Sequence, residues 1–179
     1  DMVVNTLPQV VVKNISILRN QHNIIPADCP QGMLVTRIKG PTKLTNVKVR
    51  VSQKGQTVTL NVQDINQIQN YLVGTYDLEI LTLPRIYKKD VVISQSAFSY
   101  IDIPGSGMLK YTATKPIVGQ IFVNSPEGKN AWVCDIGFDK LTDLIYLQPG
   151  QYKVVYRLKS AVSTDYTMVQ EFKVTAGEN

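Results

Sequence analysis

Asp77-Leu78-Glu79-Ile80-Leu81-Thr82-Leu83-Pro84 is a second copy of Asp1-Met2-Val3-Val4-Asn5-Thr6-Leu7-Pro8, displaced by 76 residues. The match continues downstream. Lys13-Asn14-Ile15-Ser16-Ile17 answers to Lys89-Asp90-Val91-Val92-Ile93 at the same shift, and Gly32-Met33-Leu34 answers to Gly107-Met108-Leu109 one residue earlier. Tyr71-Leu72-Val73-Gly74-Thr75-Tyr76 corresponds to Tyr146-Leu147-Gln148-Pro149-Gly150-Gln151-Tyr152, with the shift back at 76 from the glycine onward. A recurring period marks an array in which each repeat is one folding unit. Because Asp1 aligns with a residue inside a strand, the natural chain is expected to continue upstream with a similar glycine–tyrosine lead-in.

The residues around the repeat are those of strands. Val47, Val49 and Val51 alternate with Lys48, Arg50 and Ser52. Beyond the turn Gln53-Lys54-Gly55-Gln56, Val58, Leu60 and Val62 alternate with Thr59 and Asn61. That pattern predicts a hairpin with one buried face. Its counterpart runs from Gln120 to Val123, through Ser125-Pro126-Glu127-Gly128, into Ala131 to Ile136. Superposing the two turns sets Val58, Leu60 and Val62 opposite Trp132, Cys134 and Ile136, so Trp132 and Cys134 are expected in the core.

Short polar segments follow, Asp64 to Asn70 and Phe138 to Asp143, suited to a helical turn or a loop. Gly74 and Pro149-Gly150 suit turn positions, proline by its fixed φ and glycine by its freedom at positive φ. They lead into the strands Tyr76–Leu81 and Tyr152–Leu158. Val91 to Ile93, Tyr100 to Ile103 and a closing strand with Tyr166, Met168, Gln170, Phe172 and Val174 on one side complete the pattern.

Roughly six or seven short strands per unit and no amphipathic helix of useful length predict an all-β protein: two tandem antiparallel β-sandwiches of Ig-like or prealbumin-like type. The boundary falls near Leu81 to Arg85 or near Ile103 to Gly107, since a cyclic permutation of the strands has the same period. The later one is preferred because Met108 opens a segment that runs to a closing strand at Val174. It divides the chain into residues 1–104 and 105–179.

Composition bounds the rest. The 179 residues are 44% hydrophobic and 18% charged, as in folded proteins. No stretch approaches the roughly 20 apolar residues of a membrane helix. Nineteen basic and 14 acidic residues are spread along the chain, without the basic patch and aromatic platforms of a nucleic-acid binder. The first residues show no basic and apolar regions of a signal peptide. One cysteine falls in each unit, so a Cys29–Cys134 bridge stands as the lesser alternative to a small buried thiol at Cys134.

Catalytic patterns are missing. His22 is the one histidine and has no counterpart in the second copy, so a triad has no sequence signature. Two distant cysteines and one histidine do not make the ligand pairs of a zinc site. Asp135, Asp139 and Asp143 recur every four residues, but the residues between them are mostly apolar or basic, unlike a calcium loop. Gly105-Ser106-Gly107 lacks the lysine and helix of a phosphate loop. No cofactor, metal or catalytic residue is expected. Tyr87, Tyr100, Tyr111, Trp132 and Phe138 are the aromatic candidates for stacking on a sugar ring.

Gly74 to Arg85, with Leu147 to Arg157, resembles the C-terminal β-rich region of exported multidomain proteins of Bacteroidetes-type bacteria that carry a von Willebrand factor A domain upstream. It is also similar to PEGA and carboxypeptidase-regulatory-like modules. The resemblance implies a periplasmic or cell-surface protein in which tandem sandwiches sit beside a protein-binding domain. The Asp-x-Ser-x-Ser adhesion motif of that upstream domain is absent, so no functional residue carries over.

The expectation is therefore a noncatalytic structural or protein-interaction module. Its partners would be the upstream domain and a further protein, with no nucleic acid and no membrane span. A carbohydrate-binding module is the alternative. Loops position contacts in such folds, and the equivalent hairpin tips offer Gln53, Lys54 and Gln56 in the first copy and Glu127, Lys129 and Asn130 in the second.

Overall fold

A computed structural model describes residues 1–42, 44–124, 128–137 and 139–177. The chain is all-β and resolves into two compact units. The first comprises Asp1–Arg37, Lys48–Ile80 and Tyr87–Asp102; the second comprises Ile38–Val47, Leu81–Ile86 and Ile103–Asn179.

Strands β1 (Met2–Val4) and β2 (Val10–Val12) form an antiparallel pair. Next come β3 (Gln31–Lys39), β4 (Lys48–Gln53), β5 (Asn61–Asp64), β6 (Gln69–Leu72), β7 (Gly74–Ile80), β8 (Ile86–Ile93) and β9 (Phe98–Pro104). They build a three-stranded sheet in the order β6-β3-β9 and a four-stranded one in the order β5-β4-β7-β8. The remaining strands are β10 (Gly107–Thr112), β11 (Ile117–Asn124), β12 (Asn130–Gly137), β13 (Thr142–Leu147), β14 (Gly150–Leu158) and β15 (Met168–Val174), with a 3-10 turn at Thr164–Tyr166. Their sheets are β10-β13 and β12-β11-β14-β15.

Replacing β3 through β8 by β10 through β15 maps one arrangement onto the other, so the repeat in the sequence is a repeat in topology. The addition is β9, which flanks β3. Ser96 N–H donates to Gln31 O (2.8 Å), Met33 N–H donates to Ala97 O (2.9 Å), and Arg37 reaches Asp102. Partner numbers rise together, so β9 runs parallel to β3 in an otherwise antiparallel molecule.

Alternation builds each core as expected along β4, β7 and β11. Val47, Val49 and Val51 are buried, as are Tyr76, Leu78 and Ile80. Ile117, Ile121, Val133, Ile136, Leu147, Tyr152 and Val174 form the second core, with Phe172 stacked on Tyr152 at 5.5 Å. Tyr76 and Tyr152 each follow their glycine by two residues and send the hydroxyl to a carbonyl four residues back, Leu72 O at 2.7 Å and Gln148 O at 2.6 Å. The same corner thus closes each unit, as in other β-sandwiches. The Leu-Pro segments repeat as well. Leu7 O accepts from Leu72 N–H, Leu83 O accepts from Gln148 N–H, and Thr6 and Thr82 donate to the carbonyls of Pro8 and Pro84.

The second strand of each hairpin departs from expectation. In the first unit Val58 and Val62 are exposed, and Gln63 is the buried residue at 1% exposure. The register pairs Val49 with Gln63 and Arg50 with Val62, one residue out of phase with the reading that put Val62 inside. A one-residue slip exchanges the two faces of a strand. What makes a buried glutamine acceptable is Tyr71, whose hydroxyl donates to Gln63 Oε1 at 2.7 Å.

In the second unit a bulge at Ile121/Phe122 sets Ile121 opposite Cys134 and Phe122 opposite Trp132. The extra residue, Val133, turns into the core, and Trp132 lies outside it at 58% exposure. Expecting Trp132 in the core is therefore wrong, because the bulge resets the phase of the strand. Cys134 is half-buried at the edge of the core, and both cysteines are free thiols. The closing strand keeps its expected face at Val174 and Phe172, whereas Met168 and Gln170 are exposed.

Candidate functional site

The first hairpin tip is a clamped turn. Gly55 adopts φ 70°, and Gln56 N–H closes the turn on Gln53 O at 2.9 Å. Asp77, projecting from β7, accepts from Gly55 N–H through one carboxylate oxygen and from Asp90 N–H through the other, both at 3.0 Å. These two backbone donors hold its carboxyl below the usual carboxylate range. Lys54 forms an ion pair with Asp90, whose hydrogen bond and charge raise the lysine pKa. Gln53, Lys54 and Gln56 remain exposed on this rigid frame.

In the second unit the residue equivalent to Asp77 is Lys153, which faces Glu171 instead. Gly128 takes φ 75°, and Lys129 and Asn130 are exposed, with Asn130 opposite Asn124 at the end of the ladder. Glu127 lies outside the described residues, as does Phe138. The two tips belong to different units.

The three aspartates spaced four residues apart, Asp135, Asp139 and Asp143, have separate occupations. Asp135 accepts from Gln120 Nε2 at 3.0 Å and Trp132 Nε1 at 3.1 Å. Asp139 pairs with Lys159, and Asp143 with Lys140 at 2.8 Å. Among the described residues no three His, Cys, Asp or Glu side chains gather as a metal ion would require. His22 is exposed in an irregular segment.

The aromatic candidates among the described residues have separate partners within their own units. Arg37 lies over the Tyr100 ring at 4.0 Å from its centroid while holding Asp102 through two hydrogen bonds, and Phe98 stacks almost parallel to Tyr100 at 5.5 Å. The guanidinium occupies a ring face that a sugar would need. Tyr87 donates to Glu79, Tyr111 accepts from Gly137 N–H at 3.1 Å, and Trp132 is tied to Asp135. Sequence reasoning did not find the Arg37–Tyr100–Phe98 stack. Its signal was the two-residue spacing of Phe98, Tyr100 and Asp102, which places them on one strand face.

No helix among the described residues is long and apolar enough to cross a membrane. No family model matches the chain, and no curated protein does. Among solved structures the chain is similar to the Bacillus anthracis TIE protein at 13% identity and a TM-score of 0.31, over 84% of this chain and 32% of that one.

Proposed function

We propose that the chain is a noncatalytic tandem module of a larger exported bacterial protein, placed at the periplasm or cell surface, that spaces neighbouring domains and meets a protein partner through its hairpin tips. One observation carries this reading. Positions shared by the two units are spent on the corner, the core and the Leu-Pro segment bonded within each unit: Gly74 and Gly150, Tyr76 and Tyr152, Leu7-Pro8 and Leu83-Pro84. The first tip adds a rigid, exposed contact surface, fixed by Asp77 rather than left to fluctuate. Binding residues on loops held by a scaffold are the usual arrangement in such folds. The resemblance to von Willebrand factor A-associated regions supports export.

Photo-crosslinking residues placed at Gln56, at Lys129 and at the exposed strand position Gln120 test it in cells that produce the parent protein. Discrete adducts from the two tips and none from Gln120 are expected. A saturable polysaccharide titration abolished by Tyr100→Ala would replace this reading with carbohydrate binding.

A further inference from the structure

The outer face of the four-stranded sheet is filled in the first unit and open in the second. Arg50 on β4 stands opposite Glu79 on β7, and Gln120 on β11 stands opposite Val155 on β14, which is the position of Glu79 moved by the 76-residue period. Arg50 thus corresponds to Gln120, and by the same count Lys48 corresponds to Val118. These residues alternate with the buried Val49, Val51, Ile117 and Ile121, so they lie on the faces turned away from the two cores. Arg50 donates to Glu79 at 2.6 Å, to Thr59 Oγ1 at 2.7 Å and to Thr57 O at 2.6 Å. The first unit therefore covers this face with its own chain.

The second unit reverses the chemistry. Counted back from the pairs Arg50↔Val62 and Gln120↔Asp135, Thr59 corresponds to Trp132. Where an arginine gathers acceptors in the first unit, Asp135 gathers donors in the second: Trp132 Nε1 at 3.1 Å and Gln120 Nε2 at 3.0 Å, both on Oδ1. Among the described residues no donor meets Oδ2. The N–H of Trp132 is pinned while the side chain is 58% exposed, so the ring is held in place with much of its surface open.

Beside this group lies a cleft of about 460 Å³, lined by Val118 and Val155, by Gln120 and Asp135, and by Thr164 and Thr167. The threonines come from the connection between β14 and β15, which spans 159–167, whereas its counterpart between β7 and β8 spans only 81–85. Arg157 lines the same cleft and offsets the charge of Asp135, and Lys153 faces Glu171 elsewhere on the sheet. The sheet order β12-β11-β14-β15 repeats β5-β4-β7-β8, so the open face is not that of a strand without its pair.

We propose that this face binds a neutral glycan. One pyranose ring packs its C–H face on the electron-rich face of Trp132. Its hydroxyls and those of a neighbouring ring donate to Asp135 Oδ2 and Gln120 Oε1 and accept from Thr164, Thr167 and Arg157. An apolar surface with a few placed hydrogen-bonding groups is the usual make-up of a small-ligand site. The distance along β11 from the Phe122–Trp132 pair to the Val118–Gly137 pair is about 13 Å, which admits a short oligosaccharide rather than a single ring. Offset charges make the cleft a poor receptor for a polyanion, which requires concentrated cations. This surface is separate from the hairpin tips.

Trp132 is the one tryptophan of the chain, so tryptophan emission reports on this site. The whole chain is screened on an array of neutral glucans, mannans, xylans and N-acetylglucosamine oligomers, with polyuronates and heparin as charged arms, and hits are titrated by emission and by calorimetry. A neutral oligosaccharide is expected to change the emission saturably. Trp132→Ala, at an exposed position, is expected to abolish the calorimetric signal with an unchanged unfolding midpoint. Asp135→Ala should weaken binding about tenfold or more, and Tyr100→Ala should leave it intact.

Binding to none of the neutral glycans would overturn the proposal, as would binding confined to the charged arms or binding that survives Trp132→Ala. Loss of binding on Tyr100→Ala would overturn it too, by placing the sugar in the first unit. A protein adduct from Gln120 in the cross-linking experiment would give this face to a protein instead. Adducts from the two tips are read independently of any glycan, so the failure of one reading is distinct from the failure of the other.

Discussion

A tyrosine hydroxyl and one carbonyl close each unit, and their removal has a calculable cost. Tyr76→Phe and Tyr152→Phe keep the ring in the core and strand Leu72 O or Gln148 O. A lost hydrogen bond at a buried site costs about 1–2 kcal/mol, to be read as a lower denaturant midpoint with an unchanged slope. The Gln63–Tyr71 pair makes a second prediction. Burial, the largest cause, pushes the Tyr71 phenol up to about 12 from its usual 10.0. Above pH 10 the unfolded phenol loses its proton while the folded one keeps it, so stability present below pH 10 declines as the pH rises toward 12. Burial raises Tyr152 in the same direction. Denaturant midpoints at pH 9 and pH 11 should diverge, and Tyr71→Phe should narrow the gap. Glycine and tyrosine of the corners were legible in the sequence because they recur at the repeat, although Gly74 and Gly150 begin strands without the positive φ expected of them and lie instead against the rings of Tyr76 and Tyr152. The buried Gln63 was not, since its acceptability depends on a partner eight residues away that periodicity does not reveal.

At the level of strands, close crossings and the clamped tip carry the predictions. An added Cβ at Gly107 would stand 2.2 Å from Thr175 O and one at Gly32 would stand 2.1 Å from Ser94 O. Neither carbonyl is the flexible end of a side chain. Gly107→Ala and Gly32→Ala should each cost about 1–3 kcal/mol by forcing strands apart, measurable by thermal or chemical unfolding. Asp77→Ala should speed amide exchange at Gly55 and Asp90 and leave the core protected. Since the Asp77 carboxyl lies below the usual value near 3.8, its contribution is complete above that pH and is lost as the pH falls through its folded value. Exchange at the two amides should rise over that acid interval and not in the Asp77→Ala variant. Strands with strict alternation, such as β4 and β7, could be read directly. Those next to a bulge or a register slip could not, because alternation specifies two faces and leaves open which one turns inward.

For the molecule as a whole, the duplication was the most legible property. A period of 76 residues fixes a common topology whatever the individual propensities. The strand β9 was legible as Tyr100 to Ile103, but its place beside β3 was not, because alternation marks a strand without naming its partner.

The bulge at Ile121/Phe122 also limits how the two copies can be recombined. A chimera spliced within the tip would join a strand counted in one phase to a partner counted in the other, carrying a tryptophan inward or a valine outward along the whole graft. Crossovers at Gly74 and Gly150 preserve the count on both sides. Shuffled descendants of this tandem would therefore be viable when exchanged as blocks delimited by the glycine–tyrosine turns.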